Sequence, residues 1–483
     1  MAEPPRFTRG STMRHVAVMT TTGAFGLMAL FLVDVLNLFY ISLLGQEELA
    51  AAIGFAGTLQ FFMISISIGL SIGATAIVSR AIGAGNEEEA KRLAASSMLT
   101  LVLILSLVTA GVWVMRDAAL GLLGAEGETA ALASRFLAIV LPPVPFLGIA
   151  MVSGGLLRSR GDASRAMYVT LGGGALAAVL DPIFIFALDL GLDGAAIVTA
   201  MTRVAVAALG LAFTVGVHRM VGRLDPMAAW KDTRRLLAIA APAVATQLST
   251  PFGMAYLTGI VASHGDEAVA GWAVVGRLTA LSFGGIFALS GAVGPIFGQN
   301  LGAGLYARLP LIFRDALLFA IFYVAVVWLV VFALSDHLIA AFGLAGTGAE
   351  VFRSFATFGT AAYVFTAVLF VSNACFNNLG RPTWSAAFNW SRDAVVIPVL
   401  AFLLGAGLNA SGVILIQACA AALVGTCAAF AAWRYLDRFP GAKVDTQGLP
   451  EATAAPYASG RSALVVSPSA SDPSPLAEPK KPG

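Results

Sequence analysis

Charge is scarce in this 483-residue chain: 12% of its residues are charged, against about 25% in soluble globular domains. Cysteine is nearly absent, and the three present, Cys375, Cys419 and Cys427, fall late in apolar runs. An odd number in such places excludes a disulfide framework and reads as small apolar packing. The four histidines, His15, His218, His264 and His337, sit at the edges of apolar runs or between them, and no pair has metal-ligand spacing. No His, Asp, Ser or Cys cluster has the spacing of a catalytic constellation. What the chain has in abundance is apolar surface: 58% hydrophobic residues and a mean hydropathy of +0.85. This is an all-α integral membrane protein, partnered by the lipid bilayer and not by nucleic acid.

Twelve apolar runs each approach the roughly 20 residues that cross a bilayer. They cover 16–44, 49–80, 93–115, 130–157, 164–188 and 193–217, then 235–262, 268–299, 310–335, 350–377, 384–405 and 411–433. The chain divides into an N-terminus (1–15), a first six-helix lobe (16–217), a linker (218–234), a second lobe (235–435) and a tail (436–483). Eight of the 21 prolines fall in the last 44 residues, so the tail reads as disordered. No signal-peptide pattern precedes the first run.

Basic residues cluster in alternate loops. Arg6, Arg9 and Arg14 precede the first span; Arg80, Lys91 and Arg92 follow the second; Arg158, Arg160 and Arg165 follow the fourth. Arg219 to Arg235 follow the sixth, and Arg434, Arg438 and Lys443 the last. The positive-inside rule then places both termini in the cytoplasm.

An internal repeat runs through the chain. IVSRAIGAGNEEEAKR (77–92) resembles PIFGQNLGAGLYARLP (295–310), with Gly83-Ala84-Gly85 and Gly302-Ala303-Gly304 separated by 219 residues. The same offset pairs Gly161 with Gly380. A repeat of six spans keeps both copies in one orientation, so the two lobes are related by a pseudo-twofold axis along the membrane normal.

Two acids lie deep in apolar runs: Asp34 in LFLVDVLNLFY and Asp181 in AVLDPIFIF. Counting residues puts both at a similar depth in the outer half of the first lobe. Asn37 and Tyr40 follow on nearly the same face as Asp34, Thr199 enters that layer from span 6, and Pro182 should kink span 5. Burial favours the neutral form of a carboxylate, and a second carboxylate nearby adds to the effect. Such a pair takes up and releases H⁺, or coordinates Na⁺ with neighbouring oxygens. The competing reading is structural pairing with a buried arginine, Arg203 or Arg277. The second lobe has Met254 and Ile397 at the matching positions, and Asp393 lies beside Arg392.

LVDVLNLFYISLLGQEELAAA, LLRSRGDASRA, VLDPIFIFALDLGLDGAAIVTA and GQNLGAG, in this order, resemble the multidrug and toxic compound extrusion (MATE) transporters over about residues 16–435. The resemblance implies a monomeric secondary antiporter of the inner membrane. It would need no cofactor, and entry of H⁺ or Na⁺ would drive export of cationic, lipophilic compounds by alternating access. The family's cation site would map onto Asp34, Asp181 and Thr199. Two departures stand out. Ala177 replaces an asparagine frequent four residues before the span-5 aspartate, which removes a Na⁺ ligand and favours H⁺. Asp393 stands where the family often has glutamine after the arginine. A lipid-linked oligosaccharide flippase of similar fold and an intramembrane enzyme are the weaker alternatives.

Overall fold

The computed structural model describes residues 5–42, 47–404 and 409–440, with the side chains of residues 34–39, 41, 42, 47, 48, 50 and 226 outside that description. Most of the proline-rich tail, 441–483, therefore lies outside the described residues. The described chain is helical, without strands.

The first lobe comprises α1 (Thr12–Ser42), α2 (Glu47–Gly83), α3 (Glu87–Val114), short α4 (Arg116–Leu122), α5 (Gly127–Val140), α6 (Val144–Ser159), α7 (Ala163–Pro182) and α8 (Gly191–Leu211). The second comprises α9 (Pro226–Ala262), α10 (Asp266–Ser282), α11 (Gly284–Gly302), α12 (Arg308–Ala333), short α13 (Ser335–Ala341), α14 (Gly346–Ser354), α15 (Thr360–Leu379), α16 (Pro382–Trp390), α17 (Ile397–Leu404) and α18 (Gly412–Leu436). Single π turns follow α7, α8, α14 and α16. Large apolar side chains such as Leu107, Phe322, Phe402 and Phe430 are exposed, as a lipid-facing surface requires.

Ten helical stretches are long and apolar enough to span a bilayer, and twelve if two bent pairs each count as one. Those pairs are runs that read as continuous in the sequence. α5 and α6 meet at 54°, where Pro142 and Pro143 remove two amide donors. α10 and α11 meet at 44° with no proline at the break. There the Tyr323 hydroxyl of α12 enters the helix, donating to Ser282 O at 2.8 Å and accepting from Gly285 N at 3.3 Å. A side chain inserted into the backbone ladder is a known cause of kinks.

The repeat governs the turns. Gly85 and Gly304 have φ of 73° and 70°, and Gly161 and Gly380 of 82° and 94°. Gly124 with Gly343 and Gly127 with Gly346 extend the series at the same spacing, with φ of 87° and 61°, and 59° and 47°. All eight occupy the left-handed region that side chains with a Cβ avoid.

One end of the bundle, here called the base, holds the start of α1, the α2–α3, α6–α7 and α11–α12 turns, and the end of α18. There the lobes close on each other through α2 and α11. A Cβ at Gly83 would overlap the Gln299 carbonyl, one at Gly302 the Arg80 carbonyl, and one at Gly298 the Ser79 hydroxyl. The first two contacts are equivalent under the repeat, and the third joins a residue to its own equivalent. The pseudo-twofold axis thus passes between Ser79 and Gly298. Arg80 lies within α2 and donates to Asn378 O of the second lobe at 2.7 Å.

The N-terminal segment seals this closure. Phe7, in a 3-10 turn at Arg6–Thr8, is fully buried. Arg6 donates to Gly161 O of the first lobe at 2.8 Å. Asn300 and Arg308 of the second lobe donate to the Phe7 carbonyl. Thr12 donates to buried Asp315 on α12.

Candidate functional site

Glycines set the positions of the first-lobe residues. α7 carries Gly172, Gly173 and Gly174, and a Cβ there would press on Leu209, on Val206 and Thr202, and on Val33 respectively. α7 is therefore held closely between α1 and α8. Gly26 beside Met167 and Thr170, and Val33 beside Gly174, show α1 and α7 running parallel. At 1.5 Å per residue, this register places Asp181 level with the 37–40 turn of α1. The Asp34 backbone then lies about 5–9 Å nearer the base. The layer read from the sequence is thus tilted, with Asp34 deeper than Asp181. The side chains of Asp34 and Asn37 lie outside the described residues.

Asp181 is 1% exposed in the last turn of α7. Pro182 still has helical dihedrals, and the chain widens at once into the π turn Ile183–Ala187, with Leu188 N bonded to Ile183 O at 2.9 Å. A proline that cannot donate, followed by five-residue hydrogen bonding, is a break in regular helix at the buried acid. Two elements brace it. The Tyr40 ring meets Phe186 edge-on at 6.1 Å. The backbone of the π turn lies so close to α8 that a Cβ at Gly194 would be 2.6 Å from Phe184 O. Thr199, half-buried on α8, donates to Ala195 O at 2.9 Å, which leaves its oxygen able to accept or ligate.

The arginines separate. Arg203, buried, donates to the Val140 carbonyl and to Gln60 Oε1 at 2.6 Å, tying α8 to α5 and α2. It forms no ion pair with Asp181. Arg277 is exposed on α10. In the second lobe Arg392 and Asp393 form a buried two-bond pair, at 2.8 and 3.0 Å, inside the π turn Ser391–Val396. Arg158, read from the sequence as a loop charge, lies within α6.

At the base, Asp162 caps α7. Burial alone would raise its carboxyl. Hydrogen bonds from His218 at 2.9 Å, the Arg165 amide at 3.0 Å and the Arg165 guanidinium outweigh that and hold it well below the usual carboxylate range.

Two repeated helical lobes that span a membrane, closed at one end, with a buried acid at a broken helix in each lobe and that of the second lobe paired with Arg392, define a membrane transporter and not an enzyme. The chain belongs to the MatE family, whose model matches residues 24–183 and 242–403, one stretch in each lobe. It is 32% identical to the FAD transporter of Shewanella oneidensis over 296 residues, 59% of this chain and 64% of that protein. It is 26% identical to the multidrug export protein MepA of Staphylococcus aureus over 393 residues, 79% of this chain and 84% of that one. Among solved structures, a mutant of the Vibrio cholerae MATE transporter VcmN superposes with a TM-score of 0.83 at 24% identity. That match covers 88% of this chain and 97% of that one.

Proposed function

We propose that this protein is a cation-coupled antiporter of the cell (inner) membrane that exports small cationic, amphipathic compounds, with H⁺ favoured as the coupling ion. The observation that carries the reading is Asp181, buried in an apolar helix where Pro182 and a π turn break regular hydrogen bonding. A carboxylate there is costly to keep charged. A cation entering from the open end neutralises Asp181 and Asp34, with Tyr40, Asn37 and Thr199 supplying oxygens around them. Neutralisation removes a charge that disfavours repacking of α1 against α7, and Pro182 lets α7 bend as it repacks. Cation and cargo bind the two lobe arrangements with different affinities, and that difference is the coupling. Ala177 adjoins this site without an oxygen ligand, which supports H⁺ over Na⁺. The basic loops at the base support cytoplasmic termini; with the base closed, the conformation described is outward-facing. The names of the two relatives support small-molecule transport, and that of MepA supports export.

Ethidium efflux from everted vesicles tests this, driven separately by a pH gradient and by a Na⁺ gradient. The expected result is pH-driven efflux by wild type and none by Asp34→Asn or Asp181→Asn, with both variants inserted at normal levels. Near-normal efflux by either variant would make these acids structural.

A further inference from the structure

Arg158 has no role in the coupling site, yet its surroundings are those of a binding group. Its side chain does not leave the membrane at the end of α6 but folds back along the helix. A Cβ at Gly154 would lie 3.4 Å from Arg158 Nη1, and one at Gly291 of the second lobe 3.8 Å from Nε. The guanidinium thus lies between the lobes, about one and a half to two helical turns above the bond from Gln299 Nε2 to Ser159 O at 2.6 Å. Gly291 is exposed whereas the nine residues after it are buried. That change marks the floor of an interlobe cleft directly above the closed base. Arg158 Nε is buried without a hydrogen-bond partner, and among the described residues no carboxylate pairs with the guanidinium. Two further buried polar atoms without partners flank the same length of α11. Asn378 Oδ1 belongs to a side chain that lies against Gly294; Thr20 Oγ1 is on α1, which packs antiparallel to α11 through Gly23 and Ala288. On α10, Arg277 is exposed and forms no ion pair among the described residues. An arginine in an apolar helix faces water-filled space and not lipid.

We infer that Arg158 is a recognition site for an acidic group, a phosphate or carboxylate carried by the cargo, so that the protein also exports anionic or zwitterionic compounds. A guanidinium between two apolar lobes, half-buried and without a counter-ion among the described residues, is unfavourable, and its planar fork matches a phosphate or carboxylate with two parallel hydrogen bonds. A bare Gly291 leaves the group open to the cleft. The inference rests on the transporter reading but not on the coupling ion, since it concerns cargo recognition with no gradient applied.

The test uses two probes that share a ring system and differ by one phosphate, riboflavin and flavin mononucleotide. Binding is read by quenching of tryptophan fluorescence on the full chain in phosphatidylcholine nanodiscs. Wild type should bind flavin mononucleotide at least about tenfold more tightly than riboflavin. Arg158→Gln should abolish that preference and Arg158→Lys should retain part of it. Gly291→Val, which covers the guanidinium without removing it, should also abolish the preference and stands in if Arg158→Gln fails to fold. Equal binding of the two flavins by wild type, no binding of the phosphorylated one, or an equal loss for both in Arg158→Gln would overturn the inference. A tenfold weakening of flavin mononucleotide in phosphatidylglycerol discs would assign the site to a lipid headgroup and overturn it as a cargo site.

Discussion

The Phe7 amide donates to Gln299 Oε1 at 2.9 Å, joining the N-terminal segment to the second lobe across 292 residues of sequence. The same Gln299 side chain donates to Ser159 O in the first lobe. One buried amide therefore ties three segments at the base.

Gln299→Leu leaves the Phe7 amide and the Ser159 carbonyl buried without partners, and should destabilise the protein by about 2 kcal/mol or more. Removal of residues 1–10 should destabilise it as well. The two changes share one contact, so together they should lower the detergent melting temperature by less than the sum of the separate effects. Strict additivity would mean that the N-terminal segment and Gln299 act independently.

At Gly83 the α2–α11 crossing leaves no room for a side chain. Gly83→Val should prevent the base from closing, with efflux reduced at least about tenfold. A cysteine introduced at Ser159 should then react faster with maleimide. Gly85→Ala, which strains a turn without entering the interface, should lower stability and leave cysteine reactivity unchanged. Equal reactivity in Gly83→Val and wild type would show that the crossing is not the seal.

Arg203 holds α8 to α2 through Gln60. Gln60→Leu leaves a buried guanidinium with one partner fewer, a loss of about 2 kcal/mol for a hydrogen bond to a charged group. Ethidium efflux per folded molecule should change little, because Arg203 is not paired with Asp181, the acid proposed to couple. A loss of coupling with normal melting would reverse that assignment.

The Asp162 carboxyl is held below its ordinary value of 3.8, so its contribution to stability is present above that pH and lost as the pH falls toward its folded value. Asp162→Asn should therefore melt earlier than wild type near neutral pH. The gap in melting temperature should narrow as the pH falls below about 4. A gap that widens on acidification would contradict the sign of the shift.

The spans, the six-helix repeat and the family were legible because each depends on apolar length or on glycine at a position with one steric solution. Gly85, Gly161 and their equivalents are turns that only glycine adopts easily. Gly124 and Gly127 carried the same signal at the same spacing, but their flanking residues differ from those of Gly343 and Gly346. The bend between α10 and α11 was not legible, since its cause is Tyr323, some forty residues away on another helix. Arg158 was misplaced for a related reason. Near the end of an apolar run an arginine reads as a loop charge, and nothing local shows a long side chain turning back toward Gly154 and Gly291. Asp181 was visible as an acid in the wrong surroundings, whereas its depth relative to Asp34 required the register fixed by Val33 and Gly174.

The contact between Ser79 and Gly298 joins one position of the repeat to the same position in the other copy. That is the geometry of an isologous interface, in which a single patch is complementary to itself. A free six-helix unit carrying Ser79, Arg80 and Gly83 would meet a second copy of itself through this patch and form a symmetric dimer. In the fused chain the two halves are free to differ away from the axis, and the buried acid of α7 exists in only one of them. The base preserves the symmetry of a homodimer, and the helices above it are where that symmetry has been broken.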